Sequence, residues 1–368
     1  MRKQLYFIIL ITMIGCQVKA QCNGFESLCL KNFNEIAYLT THNSYNSFED
    51  SFYLPNQNLN ITSQLNQGVR AFMLDIYSLN NELVLYHNII DLGYYLFSDV
   101  LLEFKNFIEQ NPNEIITIIL EDYSTINELT TELETSLIID YLYVHNEDMG
   151  WPTLQEMINL NKRIVLFSDQ DIEEAPIWFN YLWDYAVETN YDNLSIEDFS
   201  CDYNRGQPEN DLFILNHFIT DYFLYVTNIE VYNELVQVVN TNPYFLNRAN
   251  ECKIINDKFP NFITVDFFDN GDCIEVVNTL NNVNEFSLYN AFLVQNIFPN
   301  PAQDIIQINI ENFKYIPPIR MYNLLGIEIS DQIDVFKTKQ EIIIQVSTLK
   351  TGLYFLHYGK HSVPVIIE

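Results

Sequence analysis

Short apolar runs of four to six residues, rich in Ile, Val, Phe and Tyr, recur along residues 35–270, separated by loops or by stretches whose apolar residues fall three and four apart. The runs read as buried strands and the intervening stretches as amphipathic helices, so the chain predicts strand and helix in alternation. Eight runs stand out: Ile36–Thr40, Val69–Leu74, Leu83–Tyr86, Ile115–Leu120, Ile164–Phe167, Tyr185–Thr189, Leu212–Asn216 and Phe262–Val265. Helices are expected between them, among them Leu101–Gln110 and Leu154–Leu160. Eight units in roughly 250 residues fit a TIM-like (β/α) barrel, although the same rhythm describes an open doubly wound sheet.

Polar residues at the ends of the runs favour the barrel. His42, Asp75, His87, Glu121, Asp169, Glu188, His217 and Asp266 each fall at or just past a carboxyl end, and three of them come from a total of six histidines. In a barrel those ends share one rim, where the active site forms, whereas an open sheet spreads them along an edge. Past residue 283 the pattern changes to short alternating segments, Ile305–Ile310, Ile342–Val346 and Gly352–His357, which predict a separate small all-β sandwich.

Composition narrows the function. The 368 residues, 48% of them hydrophobic, are enough for one large core and a smaller second domain. A net charge of −31 argues against nucleic acid and bare anionic membrane surfaces as partners. The amino terminus reads as an export signal: Arg2 and Lys3, the apolar run Leu5–Gly15, then Val18-Lys19-Ala20 before Gln21. Cys16 offers an alternative, lipoprotein processing. The expected organisation is a signal peptide over 1–20, a barrel over 21–282, a linker over 283–297 and a β-domain over 298–368, in a secreted or surface-exposed protein that is a monomer. In an oxidising compartment Cys22 and Cys29 are close enough to pair, and Cys201 with Cys252 is the second pairing expected, leaving Cys273 odd.

The chemistry lies at the rim. His42, in Thr41-His42-Asn43-Ser44-Tyr45, titrates near neutrality and suits a general base, and His87 supplies a second imidazole. Asn43, Asp75 and Glu121 together form an oxygen donor set of the kind calcium takes. Two histidines flanking a cation suit phosphoryl transfer, one accepting a proton from the attacking hydroxyl and the other protonating the leaving oxygen.

Leu39–Tyr45, Gly68–Asp75, Asn113–Glu121 and Pro260–Asp266 resemble, in order, the signature strands of the X domain of phosphatidylinositol-specific phospholipase C. Trp151-Pro152-Thr153, Arg163–Phe167 and Trp183–Glu188 are similar to segments of its secreted plant and fungal branch of phospholipase C-like phosphodiesterases, and the likeness covers about residues 22–282. It implies His42 as general base, His87 as general acid, Asp266 orienting His42, and Asn43, Asp75 and Glu121 as calcium ligands. Lys162 and Arg163 become candidates for contacts to the substrate phosphate. Met73 stands where the signalling enzymes carry an acidic ligand, which implies a weak, millimolar site completed by water or by Asp122. Phe298–Pro301, Tyr322–Gly326 and Leu349–Tyr354 resemble the C-terminal sorting domain of type nine secretion cargo, which implies the secretion machinery as a partner. The expected activity is cleavage of a phosphatidylinositol-like lipid phosphodiester, by a hydrolase or lyase. The alternatives are a glycerophosphodiester or sphingolipid substrate, or a silent module binding lipid or glycan.

Overall fold

The computed structural model describes residues 21–87, 89–146, 149–283, 297–309, 319–323, 327–337, 341–358 and 361–368. The export signal over 1–20 with Cys16, nearly all of the linker, and residues 324–326 lie outside the described residues. The chain divides into two units, Met1–Val283 and Asn284–Glu368.

Along the first unit run β1 (Tyr38–Thr41), α1 (Ile61–Gln67), β2 (Ala71–Leu79), β3 (Glu82–Leu85), β4 (Tyr95–Leu96), α2 (Phe97–Gln110), β5 (Ile116–Tyr123) and α3 (Ile126–Thr135). Next come α4 (Leu154–Asn159), β6 (Ile164–Ser168), β7 (Asn180–Tyr181), α5 (Leu182–Tyr185), β8 (Ala186–Thr189), β9 (Tyr203–Arg205) and β10 (Leu212–Asn216). The unit closes with α6 (Tyr222–Thr227), α7 (Ile229–Val239), α8 (Tyr244–Asn256), β11 (Phe262–Val265) and α9 (Cys273–Leu280).

Parallel strands stand in the order β7-β6-β5-β2-β1-β11-β10-β8, with β9 added antiparallel beyond β8. In a flat sheet β6 and β8 would stand roughly 29 Å apart, at about 4.8 Å per strand. Yet Asp169, just after β6, and Glu188 of β8 line one cavity together with His42. The sheet is therefore curled into a (β/α) barrel whose carboxyl ends share one mouth. Along each stave the pleat sends alternate residues to two cores. Tyr38, Ala71, Ile119, Phe167, Ile214 and Phe262 fill the interior, while their neighbours Leu39, Phe72, Leu120, Leu166, Leu215 and Ile263 pack outward against the helices. Burial on both faces is why the staves read as unbroken apolar runs.

One expected stave is not a stave. Leu83–Tyr86 belongs to β3, which turns back on β2 across Asn80–Asn81 (φ +52° and +68°) and pairs antiparallel with it from Ile76↔Leu85 to Leu79↔Glu82. Two left-handed residues are what a tight two-residue hairpin requires. The stave taking its place is β7, whose two residues are too few to register as a run. Cys22–Cys29 and Cys201–Cys252 form disulfides, and Cys273 is free and buried.

The second unit holds β12 (Ile297–Phe298), β13 (Ile305–Asn309), β14 (Ile319–Asn323), β15 (Asp334–Lys337), β16 (Glu341–Gln345), β17 (Gly352–Tyr358) and β18 (His361–Ile367). They make two antiparallel sheets, β12-β13-β16-β15 and β14-β17-β18. Ile306, Ile308, Ile342 and Ile344 of one share a buried cluster with Met321, Leu356 and Val365 of the other, which is the packing of a sandwich.

Candidate active site

His42 follows β1 and Asp266 follows β11, and because these staves are paired in register the two side chains arrive together. His42 Nδ1–H donates to Asp266 Oδ1 at 3.0 Å, and Asn56 Nδ2 donates to the second oxygen, Oδ2, at 3.1 Å. The imidazole lies flat on Phe218, ring centroids 4.1 Å apart. One edge and one face of the ring are thus fixed, leaving Nε2 for the cavity. Pleat alternation alone would send Asn43 away from His42, but Asn43 takes φ +46°, a left-handed turn that asparagine tolerates, and its amide comes back to the same cavity. His87 arrives differently: the β2–β3 hairpin rises past the mouth and returns, setting its ring edge-on to His42 with centroids 6.4 Å apart.

Asp75 and Glu121 are register partners on β2 and β5, and both line the cavity of about 370 Å³ that holds the histidines. Burial and the neighbouring Glu121 push the Asp75 pKa up to about 7. Two carboxylates crowded in this way are an arrangement that a cation relieves. The Asn43 amide lies 3.1 and 3.2 Å from the Asp75 oxygens: with nitrogen inward it donates to them, and with oxygen inward it extends the same donor set. Two carboxylates and one amide fit a hard divalent cation held weakly. Among the described residues no three His, Cys, Asp or Glu side chains converge as a ready-made metal cluster. Burial disfavours the His42 imidazolium, but Asp266, with Asp75 and Glu121 beyond it, outweighs that and holds its pKa above the ordinary value. Burial and the charge of His42 push His87 down to about 4, against the pull of Asp266 and Glu121.

Other residues singled out from the sequence separate cleanly. Asp169 and Glu188 reach the mouth. His217 does not: it is buried outside the barrel, stacked on Phe245 at 3.9 Å, with Nε2–H donating to Val239 O at 2.9 Å and Nδ1 accepting from Arg248 Nη1 at 3.1 Å. Lys162 and Arg163 sit at the amino end of β6, remote from the mouth. Arg163 Nη1 donates to the carbonyls of Ile108 at 2.8 Å and Asn111 at 3.0 Å, and Lys162 Nζ to that of Asp140 at 2.8 Å, so both tie loops together. Asp122 faces away from the cavity, accepting from Ser124 and Ser168, and does not extend the Asp75 donor set. Met73 is one pleat period from Asp75 and does line the cavity.

Arg205 on β9 is the functional candidate that the strand-end pattern misses. It pairs with buried Glu188 and its guanidinium lies over Trp183 at 4.5 Å and Tyr191 at 4.7 Å. The Trp183–Glu188 segment held two of its partners, but nothing pointed to an edge strand.

The PI-PLC X 1 family model matches residues 28–281, most of the chain and all of the staves. The chain belongs to the PI-PLC X family. A second model, the secretion system C-terminal sorting domain, matches residues 296–366 and marks this PI-PLC X protein for export, to the surface or the medium. Its relatives include a PI-PLC X domain-containing protein of Arabidopsis thaliana, 29% identical over 68% of this chain and 62% of that protein. Another is an uncharacterized secreted protein of Arthroderma benhamiae, 25% identical over 71% of this chain and 64% of that one. The chain thus spans less than two thirds of the length of either. A further Arthroderma protein, PI-PLC X domain-containing protein 1, is 25% identical over 71% of this chain and 90% of its own length. Among solved structures, the phosphatidylinositol-specific phospholipase C of Listeria monocytogenes aligns at 17% identity with a TM-score of 0.44, covering 73% of this chain and 99% of that one.

Proposed function

We propose that this protein cleaves a lipid phosphodiester by attack of a neighbouring hydroxyl of the head group, as on phosphatidylinositol. The observation that carries this reading is the imidazole pair at the barrel mouth, 6.4 Å apart, with one member fixed by a buried carboxylate. In the proposed reaction His42 Nε2 takes the proton of the attacking hydroxyl, whose oxygen bonds to phosphorus. His87 gives a proton to the leaving oxygen as its bond to phosphorus breaks, yielding a cyclic phosphate and a free alcohol. Asp266 keeps His42 in the right tautomer and stabilises the imidazolium it becomes. His87, neutral in the free cavity, gains its proton when the negative phosphate arrives beside it. A divalent cation, calcium by the chemistry of the donors, would be held by Asn43, Asp75 and Glu121 and would neutralise charge on the phosphoryl oxygens.

Phosphorus NMR on phosphatidylinositol tests the reading: an inositol cyclic phosphate is expected. His42→Ala and His87→Ala should each lower kcat by about 10²–10⁴-fold without loss of folding. A variant retaining near-full activity removes that histidine from the mechanism.

A further inference from the structure

A pocket of about 430 Å³ opens outside the barrel, between α8 and the segment ahead of β9, and shares no lining residue with the cavities at the mouth. Cys201 on one wall is bonded to Cys252 on α8, so the two walls are held together before anything enters. Arg248 of α8 lines this pocket although it is only 5% exposed. Its Nη1 donates to His217 Nδ1 at 3.1 Å and its Nη2 to the Ser200 carbonyl at 3.0 Å, both neutral acceptors, while Nε is buried with no acceptor. The guanidinium lies over Phe199 at 4.5 Å. Arg70 and Arg205 are each paired with a carboxylate, but among the described residues none comes within ion-pair distance of Arg248. Burial pushes its pKa down to about 10, against the pull of Tyr244 and Glu251, so it stays charged at neutral pH. A buried charge without a counter-charge is costly, and this one borders an open space.

Two acids complete the pocket. Glu251 stands three residues after Arg248 on α8, hence on the same face, and Asp202 accepts from Ser200 Oγ at 2.8 Å; both are exposed at the rim. A plain anion would meet the arginine but also both acids, and a plain cation would meet the arginine. A ligand carrying both charges, negative inward and positive outward, meets neither conflict. Phe199, Tyr244 and Ile255 add apolar wall. We propose that this pocket binds a free α-amino acid with an apolar side chain, its carboxylate turned to Arg248, its ammonium to Glu251 and Asp202, and its side chain against Phe199, Tyr244 and Ile255. A planar carboxylate suits the donors that one guanidinium has left, where a phosphate would call for more. The site is separate from the chemistry at the mouth and does not depend on it.

Calorimetry on the full chain tests it with L-phenylalanine, with phenylpropionate, which lacks the ammonium, and with phenethylamine, which lacks the carboxylate. L-Phenylalanine should bind, phenylpropionate about 5-fold more weakly and phenethylamine at least about 10-fold more weakly. Glu251→Gln, at an exposed position, should weaken L-phenylalanine about 3-fold without weakening phenylpropionate. Arg248→Gln, which keeps an amide donor for His217, should abolish binding of both. No binding of L-phenylalanine overturns the site, and phenylpropionate bound as tightly as L-phenylalanine overturns the amino-acid assignment. Binding that survives Arg248→Gln puts the ligand elsewhere and refutes the pocket. Should that variant fail to fold, as its circular dichroism melt would show, L-phenylalanine binding unmoved by Glu251→Gln refutes the pocket by itself.

Discussion

Single residues show where sequence and structure part. His42, Asp75, Glu121 and Asp266 were legible because each closes an apolar run, His42 and Asp266 just past β1 and β11 and Asp75 and Glu121 in register toward the carboxyl ends of β2 and β5, and the carboxyl end of a stave in a barrel is a fixed address. His217 ends β10 just as cleanly and yet faces outward, because one pleat step separates Asn216, which bonds Glu188, from His217. Burial and the adjacent Arg248 hold the His217 pKa well below its ordinary value. Below about pH 6.5 the unfolded chain takes up a proton that the folded chain refuses, so stability falls as pH falls, by up to about 1.4 kcal/mol per unit from this group. His217→Gln should remove that component: urea midpoints of the parent should decline more steeply between about pH 6.5 and 5 than those of the variant, and parallel declines would refute it. At the mouth, Asp75 is pushed up to about 7, so calcium binding near neutral pH should release a proton, visible as buffer-dependent heat in calorimetry. Affinity should be about millimolar, Met73→Glu should tighten it, and chelator should depress turnover. Full activity in excess chelator would remove the cation from the mechanism.

Elements explain what the residue pattern hid. The Leu83–Tyr86 run has the length and composition of a stave, and only Asn80–Asn81 before it betrays the hairpin, as two adjacent residues able to take positive φ. That signal was present in the sequence and outweighed by the count of eight. The replacement, β7, carries too little chain to be seen without its partners. The hairpin has a functional consequence, since it alone delivers His87. Asn81→Val places a β-branched side chain at φ +68°, a conformation that costs an ordinary residue about 1–2 kcal/mol. Turnover should drop while calcium affinity at Asn43, Asp75 and Glu121 stays put, because Asp75 and Glu121 belong to the staves and Asn43 to the turn after β1, not to the hairpin tip. If turnover and calcium affinity fall together, the hairpin and the barrel mouth do not move as separate elements.

For the molecule as a whole, fold class and the change of character past residue 283 were readable because each unit buries its own core: the barrel clusters draw on residues up to Val283 and the sandwich cluster begins at Ala302. Removing residues 284–368 should therefore leave a folded first unit with its melting transition and turnover largely unchanged, while export fails, as fractionation of producing cells would show. Loss of folding on truncation would mean the units share a core. The cross-links carry a last consequence. Cys201, four residues before Arg205, is tied to Cys252 on α8, and such a bond persists only once the chain has left a reducing cytosol. The segment leading into the strand that bears Arg205 gains this tie only after departure, so a copy still in the cytosol holds that strand by its pairing with β8 and the Arg205–Glu188 ion pair, without the covalent brace.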